Sequence, residues 1–172
     1  MLSATGLSYI EITSFVHPKW IPALSDALDV AKGINRKPGV TYAALIPNRK
    51  GWNGLSKEGS MKLLFHVGKR DTQPENINKS IGETLPVLKE VIGAAKQAGL
   101  TARAYLSTVF GCPYEHHVPL EQIIRTSETL FDMGINELSL GDTIGAANPV
   151  QVQRVLEVLL KRFPKRISPF IS

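Results

Sequence analysis

Glu137-Leu138-Ser139-Leu140-Gly141-Asp142-Thr143-Ile144-Gly145 decides how the rest of the chain is read. A short alternating run stops abruptly at Gly-Asp-Thr, and Asn148-Pro149 then opens an amphipathic segment. This pattern predicts a buried strand that presents a carboxylate and a hydroxyl at its C-terminal end, just before a helix. In parallel α/β proteins that end of the strand is where chemistry is usually placed. An Asp in such a position is also a common turn residue or helix cap.

Upstream of that strand the same unit recurs. Tyr9-Ile10-Glu11-Ile12-Thr13-Ser14-Phe15 alternates with period two and is expected to be a strand. Glu11 is expected on the face of Tyr9 and Thr13, either solvated or pointing into a polar site, because an unpaired buried carboxylate is costly. Ile21, Leu24, Leu28, Ala31 and Ile34 follow at helical spacing. Val40–Ile46 reads as a second strand, and residues 49–59 hold at best a short helix. Met61–Val67 reads as a third strand. Ser80-Ile81-Gly82-Glu83 has the form of a capping box, with Ile81, Leu85, Leu88, Ile92 and Ala95 as the helical stripe behind it. Pro86 inside that stripe is expected to kink the helix or move its start.

Thr101–Val109 reads as a fourth strand. Leu120, Ile123, Ile124, Leu130, Phe131 and Met133 form the next stripe, stopped by Gly134. Val152, Val155, Leu156, Leu159 and Phe163 make the last one, before Pro164. Repeated strand–helix units of this kind imply a parallel sheet with right-handed crossovers. About five such units fit either an open doubly wound sheet or an incomplete eight-unit barrel.

The composition excludes several classes. The chain has 172 residues, enough for one domain with a core, of which 43% are hydrophobic and 20% charged. Its net charge of +5 is not concentrated in one dense run, and aromatics are not interleaved with the basic residues, so no nucleic-acid groove is expected. No apolar run reaches membrane length, and no signal peptide is read at the start. The single cysteine, Cys112, rules out a disulfide framework and fits a reducing cytoplasm.

Four motifs in one order resemble the hydroxymethylglutaryl-CoA lyases, and most of all their bacterial members. They are Tyr9-Ile10-Glu11-Ile12-Thr13-Ser14-Phe15-Val16-His17-Pro18-Lys19-Trp20-Ile21-Pro22, Ala44-Leu45-Ile46-Pro47-Asn48, Gly111-Cys112-Pro113-Tyr114-Glu115 and Ser139–Gly145; Asn76–Ser80 also fits. The resemblance implies an α/β fold, an incomplete TIM (β/α)8 barrel, in the metal-dependent group with a pyruvate-carboxyltransferase-like domain, here over residues 1–164. It implies cleavage of 3-hydroxy-3-methylglutaryl-CoA to acetyl-CoA and acetoacetate, an acyl-CoA substrate, a place in leucine degradation, and a divalent ion, Mg²⁺ or Mn²⁺. It allows a homodimer for intact relatives. By motif match Glu11 and Asp142 would be the catalytic acidic residues, with Ser14, Ser139 and Thr143 lining the substrate pocket.

The family's Arg-Asp-Gly motif, its His-x-His metal pair, its asparagine ligand and its glycine-rich catalytic-cysteine loop have no match in these residues. No metal ligand is therefore assigned here, and the isolated chain is expected to show no cleavage. Cys112 follows Thr108-Val109-Phe110 rather than Gly-Leu-Gly, and matches a separate noncatalytic Gly-Cys-Pro of the family. It is expected to be structural, and His116-His117, being adjacent, are expected to be solvated loop residues. Residues 52–75 depart from the family pattern, which returns after them without a large length change. A reading frame that slips and is restored would account for this, and a second slip after Pro164 would make residues 165–172 an aberrant tail.

Overall fold

The computed structural model describes residues 2–52, 60–66, 81–113 and 116–168. Strands and helices alternate: β1 (Tyr9–Ser14), α1 (Ala27–Gly33), β2 (Thr41–Leu45), α2 (Arg49–Trp52), β3 (Ser60–His66), α3 (Ile81–Gln97), β4 (Thr101–Ser107), α4 (Leu120–Met133), β5 (Glu137–Leu140), α5 (Pro149–Arg162) and β6 (Ile167–Ser168). A short 3₁₀ turn, Pro22–Leu24, precedes α1. By internal packing the chain divides into two compact units, Met1–Leu63 with Val87–Ala102, and Leu64–Pro86 with Arg103–Ser172.

In the first unit β1, β2 and β3 are neighbours in chain order and pair in parallel. Ile10, Tyr42, Ala44, Ala31, Leu88, Ile92 and Ala95 are buried and form much of its core. Small residues predominate on β2, where Ala43 and Ala44 are fully buried, so neighbouring elements can approach closely. The helix α3 runs unbroken through Pro86, so the proline neither ends the helix nor marks its start. Residue 80, the first of the expected capping box, lies outside the described residues.

In the second unit β4, β5 and β6 are likewise neighbours and parallel. Ala104, Leu138 and Ile167 line up across the three strands, as do Leu106 and Leu140 across two, and all are buried. The helix α4 buries Ile123, Leu130 and Phe131. It ends at Gly134, whose φ of 103° is the left-handed cap that an L side chain would strain. The helix α5 starts as its sequence predicts: Asn148 Oδ1 accepts from the Gln151 amide at 2.9 Å, and Pro149 follows. Val155 and Leu159 are its buried positions. Its other apolar side, with Pro149, Val152, Leu156 and Leu160, lines an open groove.

Ile167 and Ser168 lie inside the segment read from sequence as an aberrant tail. They are buried and pair with Leu138 and Ser139, so the sheet extends past Pro164. Arg166 anchors the approach to β6: its guanidinium lies 4.1 Å from the centre of the Phe131 ring and donates to the Ile135 carbonyl. Most of the stretch read as frame-shifted, at 53–59 and 67–75, lies outside the described residues, as do residues 76–80, 114–115 and 169–172.

Candidate active site

In the first unit the candidate residues are placed by an irregularity in β1. Tyr9, Ile10 and Glu11 pair with Thr41, Tyr42 and Ala43, but Thr13 and Ser14 pair with Ala44 and Leu45. Five partners on β2 thus oppose six residues on β1, and the extra residue, Ile12, is a bulge. Partners in a parallel ladder share a face, and successive residues alternate faces. The bulge therefore moves Ser14 onto the face of Tyr9 and Glu11, and moves Thr13 to the opposite one. The sequence expectation that Thr13 shares the face of Glu11 is corrected here: plain alternation holds only up to residue 11.

That face is open where Glu11 lies, and the Glu11 side chain is exposed. Ser14 is different. Its Oγ is buried and has no hydrogen-bond partner among the described residues. A buried hydroxyl without a partner costs about 1–3 kcal/mol, so a ligand oxygen that hydrogen-bonds to it would recover that cost. The backbone behind it is tightly backed. Phe15 donates its amide to the Leu45 carbonyl at 2.8 Å. A Cβ on Gly51 would stand 2.7 Å from the Phe15 Cβ, so only glycine fits there.

In the second unit one face of the sheet is polar. Arg103 and Glu137, opposite each other on β4 and β5, form an ion pair of 2.7 Å. Above them Tyr105, Ser139 and Ser168 are in register across β4, β5 and β6. Ser139 is buried in the middle of this row. Beyond it, Gly141 donates its amide to the Leu106 carbonyl at 2.9 Å, next to the end of β4.

Asp142 and Thr143 then turn back onto the backbone. Asp142 Oδ1 accepts from the Ala146 amide at 2.9 Å and Oδ2 from the Ala147 amide at 3.0 Å. Its backbone carbonyl accepts from Gly145, which has a φ of 67°. Thr143 Oγ1 accepts from the amide of Thr108 at 3.2 Å. The turn-residue reading of an Asp after a strand is thus realised, while each carboxylate oxygen keeps a further lone pair.

The loops after β4 and β5 are joined at two more points. Gln151 Nε2 donates to the Phe110 carbonyl at 2.8 Å, and a Cβ on Gly111 would come within 2.8 Å of the Ala146 Cβ. Thr108 is the residue that the sequence reading missed. It is buried, has a φ of 60°, and donates its own hydroxyl to the Ser107 carbonyl. A β-branched residue in the left-handed region is a strained backbone of the kind found at functional loops. The only signal in the sequence is its place at the end of an alternating run.

Cys112 is buried, and its backbone forms a bridge to His116, while His116 and His117 are exposed. Among the described residues no three of His, Cys, Asp and Glu stand close enough to hold a metal ion. The carboxylate best placed at a strand end, Asp142, already accepts from backbone amides through both oxygens. The described residues therefore do not build a Mg²⁺ or Mn²⁺ site by themselves. No helix among them is long and apolar enough to cross a membrane.

The profile of the HMGL-like family matches residues 1–170. The hydroxymethylglutaryl-CoA lyase YngG of Bacillus subtilis is 64% identical over 164 residues, which is 95% of this chain and 55% of that protein. The human cytoplasmic 3-hydroxy-3-methylglutaryl-CoA lyase is 40% identical over 164 residues, 95% of this chain and 44% of its own length. The crystal structure of the Bacillus subtilis HMG-CoA lyase matches with a TM-score of 0.90 at 62% identity, covering 96% of this chain and 56% of that one. An Acinetobacter baumannii HMG-CoA lyase, solved with coenzyme A and 3-methylmalate, matches with a TM-score of 0.87 at 30% identity, covering 96% and 55%. The chain spans about half the length of the relatives it matches.

Proposed function

Since the chain belongs to the HMGL-like family and has the fold of an incomplete (β/α)8 barrel of about five strand–helix units, we propose that it is part of a carbon–carbon lyase that cleaves 3-hydroxy-3-methylglutaryl-CoA to acetyl-CoA and acetoacetate. The observation that carries this reading is the 64% identity to a hydroxymethylglutaryl-CoA lyase over 95% of the chain. The choice of an acyl-CoA substrate is supported by the relative whose structure holds coenzyme A together with 3-methylmalate.

In this reading each named residue has a physical role. Glu11, on the open face of β1, is the carboxylate that exchanges a proton with the substrate. Ser14 Oγ, buried and unsatisfied among the described residues, hydrogen-bonds a substrate oxygen. Ser139 lines the polar face of β5. Asp142 holds the 142–147 turn and offers its remaining lone pairs to a substrate hydroxyl. Thr143 keeps that turn against the end of β4. The divalent cation implied by the family would need ligands beyond the described residues, so the part assigned to this chain is substrate contact and proton exchange. The cytoplasm is the proposed location.

The test compares two proteins. The 172-residue polypeptide alone, assayed for acetoacetate release from 3-hydroxy-3-methylglutaryl-CoA with Mg²⁺ or Mn²⁺, is expected to show no turnover above a no-enzyme control. A chimera in which residues 6–164 replace the matching segment of the Bacillus relative is expected to turn over, and Glu11→Gln in that chimera to abolish most of the rate. A folded chimera without activity would overturn the assignment. Metal-stimulated turnover by the short polypeptide would overturn the division of roles.

A further inference from the structure

We infer that the N-terminal ends of β2 and β4 form a binding site for a phosphate-sized oxyanion, with Arg36 and Lys37 supplying the charge and Thr41, Tyr42 and Thr101 the wall. The cavity there has a volume of about 470 Å³ and lies wholly within the unit Met1–Leu63 with Val87–Ala102. Thr41 is the first residue of β2, and Ser14 pairs with Leu45, its last, so the cavity lies at the opposite end of β2 from Ser14 and shares no residue with the proposed lyase site.

Three observations favour an anion. The first is charge: among the described residues two cations line the cavity and no acidic residue does. Among the described residues no carboxylate pairs with the Lys37 ammonium.

The second is preorganisation. Arg36 Nη2 donates to the Ala31 carbonyl at 3.1 Å, tying the guanidinium to the last turn of α1. The Lys37 amide donates to the Tyr42 hydroxyl at 3.0 Å, tying the same loop to β2. A loop pinned on both sides loses little entropy when a ligand arrives. Gly39 and Gly99, with φ of 80° and 74°, make the turns that bring the loop and the start of β4 into the same wall.

The third is the Tyr42 hydroxyl. Tyr42 is 3% exposed. Its phenol is held below the usual tyrosine range, first by a hydrogen bond with the Ser3 side chain, then by the Lys37 amide, and further by the charges of Lys37 and Arg36. The charges of Lys37 and Arg36 thus act on the Tyr42 hydroxyl, although less than its two hydrogen bonds do.

The ligand chemistry is a phosphate group, free or at the end of a larger molecule. Calorimetric titration of the 172-residue polypeptide at low ionic strength, with inorganic phosphate and separately with adenosine monophosphate, tests it. Saturable binding is expected, weakened at least tenfold by Lys37→Gln and by Arg36→Gln, and unchanged by Lys161→Gln on helix α5, which does not line the cavity. Tighter binding of the nucleotide would identify an ester phosphate, and equal binding a free one. Binding should also raise the pH at which Tyr42 ionises, read as a tyrosinate absorbance that Tyr42→Phe removes. No saturable heat with either probe would overturn the inference. So would a loss with Lys161→Gln as large as with Lys37→Gln, which would mark general attraction to a basic protein.

Discussion

The backbone amide of Thr108, a buried residue with a φ of 60°, donates to the side-chain oxygen of Thr143 at 3.2 Å. This one hydrogen bond ties the end of β4 to the residue next to Asp142. Thr143→Val removes the acceptor and leaves that amide without it. The expected cost is about 1–2 kcal/mol, read as a lower urea midpoint with an unchanged slope. Thr143→Ser keeps the oxygen and should recover most of the loss.

Asp142 holds its turn through two amides, so Asp142→Ala should loosen that turn first. Amide hydrogen exchange at Ala146 and Ala147 is expected to speed up, while exchange in the core of β5 stays slow. The loss in global stability is expected to be about 1–3 kcal/mol, because each amide exchanges a carboxylate partner for water. Unchanged exchange at both alanines would mean that the carboxylate does not hold the loop in solution.

Gly111 and Ala146 meet where the two loops touch. Gly111→Ala would place a Cβ 2.8 Å from the Ala146 Cβ, and overpacking of this kind costs about 1–3 kcal/mol. Ala146→Gly in the same chain removes the obstructing methyl. Thermal melting of the two single variants and the double should show the double more stable than Gly111→Ala alone. Strict additivity would place the loops apart.

Arg103 and Glu137 pair on the polar face of the second unit with side chains about one fifth and one third exposed. A double-mutant cycle with Arg103→Met and Glu137→Gln should give a coupling of about 1 kcal/mol, because partial burial limits screening without removing it. The coupling is expected to fall only modestly in high salt.

Tyr42 predicts a pH dependence with a definite sign. Its folded-state ionisation is lowered from the ordinary 10.0, so between the folded and unfolded values the unfolded chain binds more protons. Stability contributed by this group therefore rises as pH increases through the folded value toward 10. The stability difference between the parent and Tyr42→Phe should grow over that alkaline range and stay flat near neutrality, as measured by urea unfolding.

The sequence by itself determined the order of elements as far as α5, the starts and stops of helices at Asn148-Pro149 and Gly134, and the family through motifs such as Tyr9–Pro22. These are legible because alternation, capping and glycine turns are properties of a few consecutive residues. Only the tertiary structure decided which way the candidate side chains face. The bulge at Ile12 exists because of the register of β1 on β2, and it carries Ser14 to the face of Glu11 against the plain period of two. Asp142 meets amides four and five residues ahead of it, and Thr143 meets an amide 35 residues back, at Thr108. Periodicity along one strand holds no information about its register with another, so hydrogen-bond partners set by neighbouring strands and loops could be read only once the chain had folded.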